Sequence, residues 1–138
     1  MSISSAFTIA NTVVTVNGRA IDDWGSADPA FTDSPIDPKR VLVRALGGNA
    51  TVLERINNGR RVTLSLRTGS ADASYLHALY MSGATITLTR SQVGSIDSAI
   101  GTEGVIVNEP DVSRVATSQI SDDVFEIEFN VWESTKGE

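Results

Sequence analysis

The pattern of hydrophobic and polar positions is clearest between Arg60 and Arg90. Val62, Leu64 and Leu66 fall on one face, and Arg61, Thr63, Ser65 and Arg67 on the other. That period of two is the signature of a half-buried strand. Ser70 then stands where a helix needs a cap, since its hydroxyl can accept from an orphan N–H of the first turn. Asp72 lies within that turn, near the positive end of the helix dipole. Ala73, Leu76, Leu79 and Tyr80 recur at helical spacing, and Gly83 offers the positive φ common at a helix end. The pattern predicts a helix over about residues 70–82, after which Ile86 and Leu88 alternate again.

The same reading extends outward from this unit. Thr12–Val16 and Arg19–Ile21 flank Asn17-Gly18, the pair best suited to a type I′ hairpin turn. Arg40–Leu46 and Ala50–Ile56 read as strands joined by Gly47-Gly48-Asn49. With the turn Asn57-Asn58-Gly59 they form an antiparallel meander leading into Arg60–Arg67. Both faces of Arg40–Leu46 are partly apolar, which predicts cover on both sides. Beyond Arg90 the chain loosens, with Gly94, Gly101 and Gly104 as breakers, a short strand at Val105–Val107 and another at Val112–Ile120. Val124–Trp132 alternates most strongly. Phe125, Ile127, Phe129 and Val131 fall on one face, and Val124, Glu126, Glu128, Asn130 and Trp132 on the other.

Residues 22–39 break the pattern. They hold three prolines and five aspartates without periodicity, which predicts a long irregular loop projecting from the domain. Its Trp24, Phe31 and Ile36 dock either on a partner or on the chain's own barrel. The elements that follow are mainly β: one domain of antiparallel strands with one short α-helix lying across them.

Composition narrows the function. The 138 residues carry no cysteine, which removes thiol chemistry and disulfides. No apolar run approaches the ~18 residues of a membrane span. The N-terminal MSISSAF lacks the pattern of a secretory leader, so a cytoplasmic compartment is expected. The net charge of −6 opposes binding to phosphate backbones. It is unevenly spread: residues 51–90 carry five basic and two acidic groups, and residues 91–138 two basic and ten acidic. A basic middle and an acidic end can complement each other between neighbouring copies.

No catalytic constellation stands out. His77 is the only histidine and sits mid-helix without a nucleophile motif. The aspartates at 22, 23, 28, 33 and 37 lack the spacing of an EF-hand loop. Glu126 and Glu128 lie about 7 Å apart along one strand face, a distance glycosidases use, yet no aromatic platform adjoins them. No catalytic residue, cofactor or metal site is expected.

The order of the pieces resembles the tail tube proteins of contractile-tailed bacteriophages, and the related tube of type VI secretion. The likeness rests on the VTVNG hairpin, the aspartate-rich loop, the strand RRVTLSLR and the helix opening TGSADASYLHAL. It runs from about Val13 to Leu88, and more loosely over Val124–Val131. It implies a mainly β fold, a single-domain antiparallel β-sandwich or barrel with one short flanking α-helix, and a structural virion protein, not an enzyme, forming hexameric rings stacked into a hollow tube through which double-stranded DNA passes during ejection. Such a tube would work in the virion tail after assembly in the host cytoplasm, beside sheath, baseplate and tape-measure proteins. Trp24, Asp28, Phe31, Asp33, Asp37, Arg60, Arg61 and Arg67 become candidates for contacts between subunits, and Glu126 and Glu128 for the lumen. A tube-initiator or baseplate protein of the same fold is the near alternative. A monomeric β-barrel ligand-binding domain is the distant one, and the 6% aromatic content offers little to line its pocket.

Overall fold

A computed structural model describes residues 12–25, 29–54, 59–93, 96–110 and 122–135. Its strands are β1 (Thr12–Val16), β2 (Arg19–Ile21), β3 (Phe31–Pro35), β4 (Arg40–Arg44), β5 (Ala50–Glu54), β6 (Arg60–Leu66), β7 (Ile86–Gln92), β8 (Ser98–Ile106) and β9 (Asp123–Thr135). One helix, α1 (Ala71–Ser82), joins β6 to β7. Seven strands form one antiparallel sheet in the order β2-β1-β7-β8-β9-β6-β3, while β4 and β5, among the described residues, pair only with each other.

The large sheet curls until its ends meet. β1 and β2 join through Asn17 and Gly18 at φ 49° and 87°, the two positive values a type I′ turn requires. Leaving β2, the chain runs directly to the far edge. Trp24 bridges to Leu66, and the Gly25 N–H donates to the Ser65 carbonyl at 2.9 Å. The N–H of Arg67 returns a bond to the Asp23 carbonyl at 2.9 Å. β3 takes the remaining edge of β6, from Arg60 to Leu64. The result is a closed barrel, which leaves fewer strand edges bare.

Inside lie Val14, Val16, Val62, Leu64, Leu66, Ile86, Leu88, Phe125, Ile127 and Phe129, with Leu76 of α1 among them. Each such side chain contributes about 1.5–3 kcal/mol by leaving water. α1 closes one end of the barrel. Ser70 Oγ accepts from the Ala73 N–H at 3.2 Å, and Gly83 ends the helix at φ 69°. Asp72 is 1% exposed. It accepts from Arg19 Nε at 2.8 Å and from the N–H groups of Asp22 and Asp23 at 2.9 and 3.0 Å. The helix thereby grips the chain where it crosses from β2 to β6.

Several expectations change. The segment 22–39 is not structureless: Phe31–Pro35 is an edge strand, its pattern hidden because Asp33 and not an apolar residue points inward. The meander breaks after β5, since β6 turns to β3 and β9 instead. The chain after Arg90 does not loosen, for β8 runs nine residues. Gly101 and Gly104 are not breakers in it. They leave room for aromatic rings, as a Cβ on Gly104 would lie 2.4 Å from the Phe129 ring. Trp132, and not Val131, joins the core beside Phe129. β8 and β9 switch face together there, where Glu103 takes φ 55°. Val112–Ile120 lies outside the described residues.

Burial pushes the Asp72 carboxyl up, but the N–H groups of Asp22 and Asp23 and the Arg19 guanidinium outweigh it and hold the pKa below the ordinary aspartate value. A lowered pKa stabilises the fold above the unfolded value of about 3.9 and loses that contribution as pH falls through the folded value. Asp72→Asn should cost about 2–3 kcal/mol at pH 7, the scale of charge-assisted hydrogen bonds. Urea unfolding of both proteins should show the difference shrinking below about pH 4.

Candidate assembly surfaces

The β4–β5 hairpin stands apart from the barrel. Its register pairs Arg40 with Glu54, Val41 with Leu53, Leu42 with Val52 and Val43 with Thr51. All ten strand residues are exposed. Val41, Val43 and Leu53 occupy one face, Leu42 and Val52 the other, so apolar side chains meet water on both sides. Leu46 in the turn is fully exposed. Arg40 pairs with Glu54 at 3.2 Å; Lys39 and Arg44 leave the hairpin basic. Two strands with no sheet beneath them are marginal in water.

The hairpin is rooted in a buried ion network. β3 leads into β4 through residues 36–39, and Asp33 of β3 points into the barrel mouth. There it bonds Arg60, whose Nε lies 3.1 Å away, and pairs with Arg90 at 3.4 Å. Arg90 also reaches Asp97 at 3.5 Å, and the Arg60 guanidinium lies 5.9 Å from the Trp132 ring centroid. Two arginines balance two aspartates, as buried charges require. This network fills the end of the barrel opposite α1.

The outer face of β9 carries Glu126 and Glu128. Glu128 pairs with Arg61 across the β6–β9 ladder at 3.0 Å, with Val105 on its other side. Glu126 faces Thr63 and has no ion-pair partner among the described residues. The Glu126 N–H donates to Asn108 Oδ1 at 2.7 Å, which fixes the strand end.

At the helix end, a groove of about 270 Å³ lies between α1 and β9. Ala73, Phe125 and Pro110 supply apolar walls, and Ser74, His77, Glu109 and Asp123 supply polar ones. His77 Nε2 lies 3.4 Å from Glu109 Oε1. Serine, histidine and acid thus share one groove, but among the described residues no hydrogen bond joins Ser74 to His77, the contact that nucleophilic catalysis by the serine requires.

The structure sorts the candidates from the sequence. Trp24 and Phe31 pack edge to face at 6.2 Å against the chain's own core. Asp33 and Arg60, expected at contacts between subunits, turn inward into the ion network: Arg60 sits opposite core residue Phe129 in the ladder. Arg61 and Arg67 are on the surface, each paired within the chain, Arg67 with Asp23 at 3.5 Å. Asp37 is exposed, and Asp28 lies outside the described residues. Asp22, Asp23 and Asp72 offer oxygens within 4.8 Å of one another, yet both Asp72 oxygens already accept hydrogen bonds. Sequence reasoning missed the hairpin's isolation and the inward-facing Arg90. The two-sided apolar pattern of Arg40–Leu46 was the available signal for the first.

No protein-family model matches the chain, and no curated protein matches it by sequence. Solved structures do. The chain is similar to the tube-terminating cap of the anti-feeding prophage, with TM-score 0.67 and 12% identity over 99% of this chain and 95% of that one. The sheath/tube terminator of PVC, an extracellular contractile injection system, gives 0.62 and 11%, over 98% and 100%. A chain of the PVC sheath–tube complex gives 0.58 and 11%, over 94% and 93%. The fold is therefore that of tube and terminator proteins of contractile injection systems.

Removing Asp33 strands Arg60, which has no other ion partner among the described residues, whereas Arg90 keeps Asp97. Asp33→Ala should cost about 3–5 kcal/mol, the penalty for breaking a buried pair. Thermal unfolding measures it, and the Asp33→Ala/Arg60→Met double variant, which keeps the Arg90–Asp97 pair, should recover much of the loss.

Proposed function

We propose that this protein is a structural subunit of the inner tube of a contractile tail, forming six-membered rings that stack around a lumen. The β4–β5 hairpin carries the reading, because its apolar faces have no cover among the described residues and a neighbouring subunit would provide it. Likeness over nearly the full length of both chains to tube and terminator proteins supports the same class. In a ring, the edges of β2 and β3 find partners on adjacent copies. Asp28, Asp37, Arg61 and Arg67 are the proposed polar contacts, and sheath, baseplate and tape-measure proteins the proposed neighbours. The part is mechanical, with no catalytic step.

In this reading the tube belongs to a phage virion, assembles in the bacterial cytoplasm and passes double-stranded DNA. Glu126 and Glu128 face the lumen, where negative charge keeps phosphates from sticking. Arg61 offsets Glu128, so Glu126 supplies the larger share. A second reading, a ring that ends or starts the tube, is favoured by the higher TM-scores to the cap and terminator, 0.67 and 0.62 against 0.58.

Negative-stain electron microscopy of the purified protein over a range of concentrations separates these readings. Tubes support the first, isolated six-fold rings the second, and monomers throughout would sink both. Tubes carrying Glu126→Lys and Glu128→Lys should retain duplex DNA at low salt and release it at high salt, whereas wild-type tubes should not hold it. Retention by wild type would refute the lumen assignment.

A further inference from the structure

We propose that Asp22 and Asp72 share one proton across the barrel closure, so that the latch between α1 and the β2–β6 crossing is tighter in acid than at neutrality.

Two carboxyl groups meet at this point. Asp72 stands in the first turn of α1, with its side chain 2% exposed. Asp22 lies in the crossing segment and is open to water. Oxygens of Asp22, Asp23 and Asp72 lie within 4.8 Å of one another. Like charges at such spacing repel. One proton between two carboxylates replaces that repulsion with a short, charge-assisted O–H···O bond.

The surroundings decide which acid takes the proton. Asp72 keeps its charge, because Arg19 Nε and the N–H groups of Asp22 and Asp23 all donate to it. It also faces the positive end of the helix dipole. Asp23 pairs with Arg67, at the end of β6, at 3.5 Å. Asp22 has no ion pair among the described residues, and solvent can deliver a proton to it. Two further titratable groups border the latch. Tyr75 lies under the Arg19 guanidinium, and the Asp122 carboxylate rests against Gly25.

The hydrogen bond to Asp72, the Asp72 charge and then that of Asp23 push the Asp22 carboxyl above the ordinary aspartate value, and Arg19 opposes them only in part. A raised carboxyl stabilises the fold below its unfolded value of about 3.9 and loses that contribution as pH rises through the folded value. Asp72, held low, runs the other way. The latch is therefore strongest around pH ~4, where Asp22 carries a proton and Asp72 does not.

Asp22→Asn tests this in the full-length chain. It is a surface change that places a permanent N–H donor where the protonated acid would stand. The variant should melt at a higher temperature than wild type at pH 7, and the two should converge near pH ~4. An NMR titration of the Asp22 carboxyl carbon should give a midpoint above about 3.9 in wild type, and one closer to that value in Asp72→Asn. An Asp22 midpoint at or below about 3.9 overturns the shared proton. So does an Asp22→Asn variant with no advantage at pH 7, or with the same advantage at both pH values.

Discussion

One buried carboxylate holds the architecture closed. The hardest step for a barrel of this order is the crossing from β2 to β6, where the chain must leave one edge and serve the opposite one. At that point two consecutive N–H groups, of Asp22 and Asp23, turn toward α1 and not toward a neighbouring strand. Both are taken by Asp72, which also holds Arg19 from the end of the first hairpin. Helix, hairpin and closing segment therefore meet on a single side chain. Arg19 in turn lies 5.1 Å from the Tyr75 ring centroid, which ties the next turn of the helix to the same point.

The opposite end is stoppered differently. There the barrel interior ends in ions, with Asp33, Arg60, Arg90 and Asp97 in a balanced set under Trp132. A greasy plug would hold β3 as well, but would leave its position along β6 loosely fixed. Directional pairs set that position, in the way buried polar groups set register in coiled coils. β3 is the strand that delivers the hairpin, so the hairpin's departure point is defined by charge pairing and not by shape alone.

Local signals were readable wherever one residue answers one geometric demand. Asn17-Gly18 gave the turn, Ser70 and Gly83 the helix limits, and the alternation of Val62, Leu64 and Leu66 the inner face of β6. What escaped was decided between distant segments. Asp33 and Arg90 face inward because they neutralise each other, 57 positions apart in the chain, and a polar residue on a core face erases the pattern that announces a strand. Gly101 and Gly104 looked like interruptions because their role is to yield space to Phe129 and Trp132 on another strand. The hairpin's apolar faces were visible as composition; that nothing among the described residues covers them was not. Asp72 was read as a helix-dipole residue, and only the crossing segment reveals its second task.

In the proposed assembly the exposed hairpin would also tie the fate of the subunit to its abundance. Backbone hydrogen bonds that are open to water break readily, and proteases cut what opens. A lone subunit presents fifteen residues, from Arg40 to Glu54, in that condition, flanked by arginines that suit trypsin-like cleavage. Once a neighbour covers the segment, the same bonds are shielded and the site disappears. In the proposed assembly stability would depend on protomer concentration, so surplus or orphaned copies would be the ones removed, and the hairpin would double as a gauge of whether its contact has been made.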